Sequence, residues 1–138
     1  QTYRDEFGVD VSDLEGAGAA GGLAGGLAAL GANLVPGFDL VADEVGLHEL
    51  INTCDVVITG EGFVDEESFD GKVVGGVQHL ATRAGKPVAA ICGDAQPEQR
   101  SRLEIVSLVE SFGEDAAFNQ TLTSIERGAA LLLKKFAR

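Results

Sequence analysis

The sequence contains no methionine, no tryptophan, one tyrosine, three prolines and two cysteines in 138 residues. Without an initiating methionine, a chain opening at Gln1 is expected to be processed or to be a piece of something longer. So little proline, beside 45% apolar and 23% charged residues, excludes a disordered chain. Cys54 and Cys92 stand 38 positions apart with no Cys-x-x-Cys or histidine-rich spacing. That excludes a disulfide framework and reads as two reduced, packed thiols in a cytoplasmic protein.

Basic charge is scarce and confined. Between Asp5 and Gly71 there are fifteen acidic residues and no Lys or Arg, and the net charge is -12. A binder of nucleic acid or of an anionic membrane needs a basic footprint, so neither is expected as a partner. The longest uncharged run, Gly16 to Phe38, is long enough for a membrane span but is dominated by Gly and Ala and interrupted by Asn33 and Pro36. No charged segment of the kind that opens a secretory signal precedes it.

The length fits one domain, and the pattern predicts a single α/β unit over residues 1–138 with a lead-in over 1–15. Leu23, Leu27 and Leu30 are spaced as on a helix across the glycine-rich run 16–31. Residues 39–52 predict one amphipathic helix. Apolar runs at 55–59, 88–92 and 105–109 read as buried strands. A helix is predicted from Val73 to Ala84, capped by Asp70 and closed by Gly85, and a last one opened by the capping box Thr123 to Glu126, with Ile125, Ala129, Leu132, Leu133 and Phe136 on its apolar side. Strands alternating with a crossover helix imply a parallel sheet flanked by helices.

Two segments carry candidate chemistry. Gly16-x-Gly18-x-x-Gly21 matches a dinucleotide fingerprint, but that motif needs a strand before it, and residues 10–15 make a poor one; close helix packing or an amide nest explains it better. The run from Gly60 to Lys72 lies after a strand, where open α/β sheets place ligands. Glu61 is flanked by Gly60 and Gly62; Asp65, Glu66, Glu67 and Asp70 follow; Gly71-Lys72 then brings the first positive charge after 67 residues. Carboxylates with one lysine near helix-end amides suit Mg²⁺ and phosphate oxygens. It is not a Walker A loop, because Glu66 stands where that loop has glycine. Glu66 and Glu67 are expected at the surface, Asp70 as a cap, and Asp94 as either a site or a turn acid. His48 and His79, without metal spacing, are expected to be structural or exposed.

Together, Gly16-Ala-Gly-Ala-Ala-Gly-Gly22, Thr59-Gly-Glu-Gly62 with Asp65, Gly71-Lys72, Pro87-Val and Gly93 resemble the type I bacterial glycerate kinase family, over about residues 7–133. The resemblance covers the carboxyl-terminal third or so of a family member. It implies a cytoplasmic enzyme phosphorylating D-glycerate with ATP and Mg²⁺, built as two α/β domains around a cleft. This chain would form part of a three-layer Rossmann-like domain, completed by the remaining N-terminal part of the enzyme, in a protein that could pair as a homodimer. Glu61, Asp65 and Lys72 are then the implied catalytic residues, with Glu61 and Asp65 on the metal. Thr59, Gly60, Gly62, Gly71 and Gly18 bind substrate or phosphate. The family commonly has a basic residue at Phe63, Gln at Glu67, Thr at Ser68 and His near Asp70. The competing readings are a non-catalytic nucleotide- or metabolite-binding module and half of a dinucleotide-dependent oxidoreductase.

Overall fold

Runs rich in β-branched and apolar residues build the middle of the chain into a parallel sheet. A computed structural model describes residues 2–137. Strands β1 (Val57–Val64), β2 (Val88–Ala95) and β3 (Glu104–Ser107) run parallel in the order β1-β2-β3. Central β2 is apolar on both faces, with Ala89, Ala90, Ile91 and Cys92 all buried, as a strand covered on two sides must be. β1 joins β2 through helix α5 (Val73–Arg83). This helix ends as its sequence requires: Gly85 turns left-handed at φ 67°, its N–H bonds the carbonyl of Thr82, and the N–H of Lys86 bonds that of Ala81.

Two apolar clusters sandwich the sheet. Val74 of α5 meets Ala90, Cys92, Leu103 and Ile105 on one face. On the other, Ala89 and Ile91 meet Leu108 of α6 (Leu108–Phe112), Ala117 of α7 (Glu114–Asn119) and Leu132 of α8 (Thr121–Phe136). This parallel sheet between helices is the α/β class expected from sequence.

The chain divides into two compact units, Gln1–Leu40 and Val41–Arg138, where the sequence suggested one. The sheet lies wholly in the second. In the first, the lead-in over 1–15 begins with helix α1 (Thr2–Phe7) and continues into turns. The expected helix across 16–31 is also corrected. Residues 12–18 form turns, Ala19–Gly22 a 3₁₀ turn, and only α2 (Leu23–Ala29) is α-helical. Ala20 and Gly21 both take left-handed backbone, which no continuous α-helix allows. Among the described residues no strand precedes the glycine fingerprint, so its dinucleotide context is missing.

Three further boundaries moved. The single helix over 39–52 is two, α3 (Gly37–Glu44) and α4 (Leu47–Thr53), parted where Gly46 turns left-handed at φ 63°. The third strand stops at Ser107, whose hydroxyl caps α6 by accepting the Glu110 N–H. The capping box lies inside α8, which begins earlier at Thr121. The buried stripe of α8 is Ser124, Gly128 and Leu132; of the expected apolar side, Leu132 is buried and Ala129 and Phe136 pack against the same cluster, while Ile125 and Leu133 are exposed. Gly128 suits this seating: a Cβ there would stand 3.3 Å from a Val106 methyl, closer than ordinary contact.

Candidate functional site

The Thr59 to Lys72 segment begins as strand. Gly60, Glu61, Gly62 and Phe63 belong to β1, paired beside Ile91, Cys92 and Asp94 of β2, so the loop expected from Gly60 starts only at Asp65. Register puts Thr59 next to Ala90 and Glu61 next to Cys92, on the face that α5 covers, and both are half-buried. Gly60 is demanded by packing, since a Cβ would overlap the Ile91 carbonyl oxygen. Gly62 points to the opposite face of the strand from Glu61, and a Cβ there would meet nothing within 4 Å.

Glu61 carries the anomaly of the site. Its Oε1 is buried with no hydrogen-bond partner. Leaving such an atom dry is costly, and native proteins rarely do so without a reason such as an ion or ligand. A cation fits the chemistry of that oxygen. Among the described residues no three His, Cys, Asp or Glu side chains gather as a metal cage. Mg²⁺ does not need one, because it is commonly held by one or two carboxylates plus phosphate oxygens and water.

Asp65 opens the turn after β1. Its Oδ1 accepts from the Ser68 N–H at 3.1 Å and from the Ser68 hydroxyl at 3.2 Å, while its own N–H donates to Ser68 Oγ at 3.0 Å. None of these bonds uses Oδ2. Ser68 is 1% exposed. The turn is pinned from behind by Gly75, where a Cβ would stand 2.6 Å from the Phe69 Cα. Ser68 is the residue that sequence reasoning did not place at the site; the Asp-x-x-Ser spacing of a side-chain-closed turn is the signal that would have found it.

Gly71, at φ 69°, turns the chain into α5, and Lys72 occupies the N-cap position. The expected cap, Asp70, does not cap α5. The Gly71 turn places Lys72 there instead, with no side-chain hydrogen bond to the helix, so the first amides of α5 carry no protein side chain. Lys72 Nζ donates to Glu67 Oε2 at 3.0 Å. That bond is the main cause raising the lysine pKa above its ordinary value, with the charges of Glu67, Asp65 and Glu61 adding to it. Glu61, Asp65 and Lys72 therefore share one electrostatic neighbourhood.

Asp94 lies at the end of β2, beside Phe63. Its Oδ1 accepts from the buried Ser107 hydroxyl and the Ala95 N–H, both at 2.9 Å. Below it, Cys92 is buried and its thiol is pushed up to about 11, first by desolvation and then by the charge of Asp94. Both cysteines are free thiols. His48 is exposed beside Asp43, 3.5 Å away, and His79 is exposed on α5. Gly18 lies in the first unit, exposed, at the start of the 3₁₀ turn. Among the described residues no helix is long and apolar enough to cross a membrane.

This arrangement has relatives. Residues 1–138 match the family model described as the glycerate kinase family. The chain is 45% identical over 118 residues to a glycerate 2-kinase of Escherichia coli K12, covering 85% of this chain and 29% of that protein. It is 42% identical over 116 residues to a glycerate kinase of Halalkalibacterium halodurans, covering 83% and 29%. A crystal structure from Salmonella typhimurium LT2, described as a glycerate kinase 2, superposes with a TM-score of 0.54 at 32% identity over 96% of this chain and 37% of that one. The chain thus spans under a third of the curated relatives' length. With a family model matched throughout and identities above 40%, the chain belongs to the glycerate kinase family.

Proposed function

We propose that this chain is the carboxyl-terminal part of a cytoplasmic enzyme that phosphorylates D-glycerate with ATP and Mg²⁺, and that it supplies one wall of the active site. The observation that carries this reading is the unpartnered, buried Oε1 of Glu61 at the carboxyl end of β1. The charge of Glu61 acts on Lys72, the one lysine of the segment.

Glu61 and Asp65 are the residues that would hold Mg²⁺, which when bound neutralises charge on the transferring phosphoryl group. Either acid would also accept the proton of the glycerate hydroxyl as its oxygen forms a bond to the γ-phosphorus and the bond to the ADP oxygen breaks. Lys72 and the uncapped amides of α5 bind phosphate oxygens or the substrate carboxylate, and Gly71 turns the chain so that they can. Thr59, Gly60 and Gly62 shape the strand end, with Gly18 proposed as a further phosphate contact. Little of this is covalent catalysis; its effect comes from positioning and charge.

Thermal shift of the full-length protein tests the reading. Mg-ATP and glycerate should each raise the Tm, because a ligand that binds only the folded state stabilises it. A shift with NAD alone would overturn it. The isolated 138 residues should show no useful turnover in a coupled assay, since one wall of a cleft cannot position two substrates. Normal rates from them would contradict the proposed division of labour.

A further inference from the structure

We infer that Ser68 is a positioning residue for the phosphoryl transfer, acting through Asp65; this rests on the role proposed above for Asp65. A carboxylate on a surface turn ordinarily samples several rotamers and presents either oxygen. Asp65 does not have that freedom. Its Oδ1 is held by both the N–H and the hydroxyl of Ser68, and its own backbone N–H returns a bond to the same hydroxyl. The three bonds close a small ring that fixes the backbone at the end of β1 and the side-chain dihedral together. Only Oδ2 is left to face a cation or a substrate hydroxyl.

The clamp is itself anchored. Ser68 is 1% exposed, so no water competes for its hydroxyl. Val64, on the strand side, is fully buried in the cluster beneath α5, and Phe69, on the helix side, packs against that cluster. Gly75 lets α5 press on the Phe69 backbone, and the Arg102 guanidinium stacks on the Phe69 ring at 4.0 Å. The hydroxyl therefore connects the hydrophobic core to a single carboxylate orientation. In phosphoryl transfer, where rate depends on placement within fractions of an ångström, this is the step most sensitive to a small displacement.

The test uses the full-length kinase and four variants: Ser68→Ala, Ser68→Thr, Asp65→Asn and the double variant. Ser68→Ala should lower kcat about tenfold or more and raise the Mg²⁺ concentration needed for half-maximal rate, with the glycerate KM changing by less than about twofold. Ser68→Thr, which keeps the hydroxyl, should restore most of the rate. Added to Asp65→Asn, Ser68→Ala should cost almost nothing more, because two residues acting as one unit are not additive. If Asp65→Asn is strongly impaired while Ser68→Ala keeps kcat within about twofold of wild type, or if the two losses multiply, the inference on Ser68 is wrong. If Asp65→Asn itself stays within about threefold, the parent assignment fails instead. Should Ser68→Ala not fold, Ser68→Cys, an isostere with a weaker donor, replaces it under the same criteria.

Discussion

The glycine-rich first unit and the strand-turn-helix segment of the second use the same residue for opposite ends. Gly21 and Gly22 have φ of 67° and 94°, and a Cβ at either would meet nothing within 4 Å. They are there for backbone direction. At Gly60 and Gly75 the φ angles are not positive, and a Cβ would run into the Ile91 carbonyl or the Phe69 backbone. They are there for close approach. Burial follows the same division: Leu23, Leu27 and Leu30 are 61%, 48% and 73% exposed, whereas Val64 and Val74 are fully buried. The conspicuous glycine run in the sequence is thus a set of turns leading into the short helix α2, with uncovered leucines and close approach confined to Gly25 and Gly26. The quieter pair Gly60 and Gly75 holds the frame on which the candidate acids sit.

The comparison breaks first at Gly75. Gly75→Ala should destabilise the chain by about 3 kcal/mol, because backbone cannot yield as a flexible side chain can. That should appear as a Tm lower by roughly 10 °C in calorimetry. An unchanged Tm would show that α5 does not press on the turn.

Cys92 and Cys54 offer a smaller contrast within the second unit. The Cys92 thiol, raised to about 11, favours the protonated form in the folded chain. Its contribution to stability is therefore fully present below the ordinary thiol range and is lost as pH climbs through about 11. Denaturation followed from pH 8 upward should show stability falling over that alkaline window, and Cys92→Ala should flatten the fall. At pH 8 a thiol reagent should label half-buried Cys54 well before Cys92.

In the first unit the expected effects are smaller. Gly18 has φ -75° and open space around it. Gly18→Ala should accordingly stabilise by about 0.4–1 kcal/mol, through lost freedom of the unfolded chain. Smallest of all is Ala20→Gly. Relief of a left-handed alanine, about 1 kcal/mol, is nearly offset by the added entropy of the unfolded glycine. A Tm change beyond a few degrees in either variant would mean that the glycine run is packed more tightly than its exposure indicates.

Much of the second unit was legible because short-range signals and tertiary packing agree there. The apolar runs at Val57 and Val88 are strands, and Gly85 ends α5 as a left-handed cap. Where long-range contact decides, sequence was a poor guide. On α8, Ala129, Leu132 and Phe136 face the core as expected, but Ser124 and Gly128 are buried beside them while Ile125 and Leu133 stay exposed, because Gly128 lets the helix sit close to Val106 and Ile91. Glycines 60 and 62 suggested a loop, yet pairing with β2 keeps both in the strand. At the site, residue types and spacing singled out Glu61, Asp65 and Lys72. They could not reveal that Glu67 holds the lysine, since that depends on how the turn folds back, whereas the Asp65-x-x-Ser68 spacing was a signal for the closed turn that went unused.

The central claim is that the carboxylates at the end of β1 carry phosphoryl transfer, and Glu61 tests it most directly. Glu61→Gln in the full-length enzyme keeps the size and half of the polarity of the side chain while removing its charge. Steady-state assay of glycerate-dependent ATP consumption should then show kcat reduced by about a hundredfold or more, which is near 3 kcal/mol on the barrier, with the folded state intact by calorimetry. A kcat within about threefold of wild type, under 1 kcal/mol, would contradict the account.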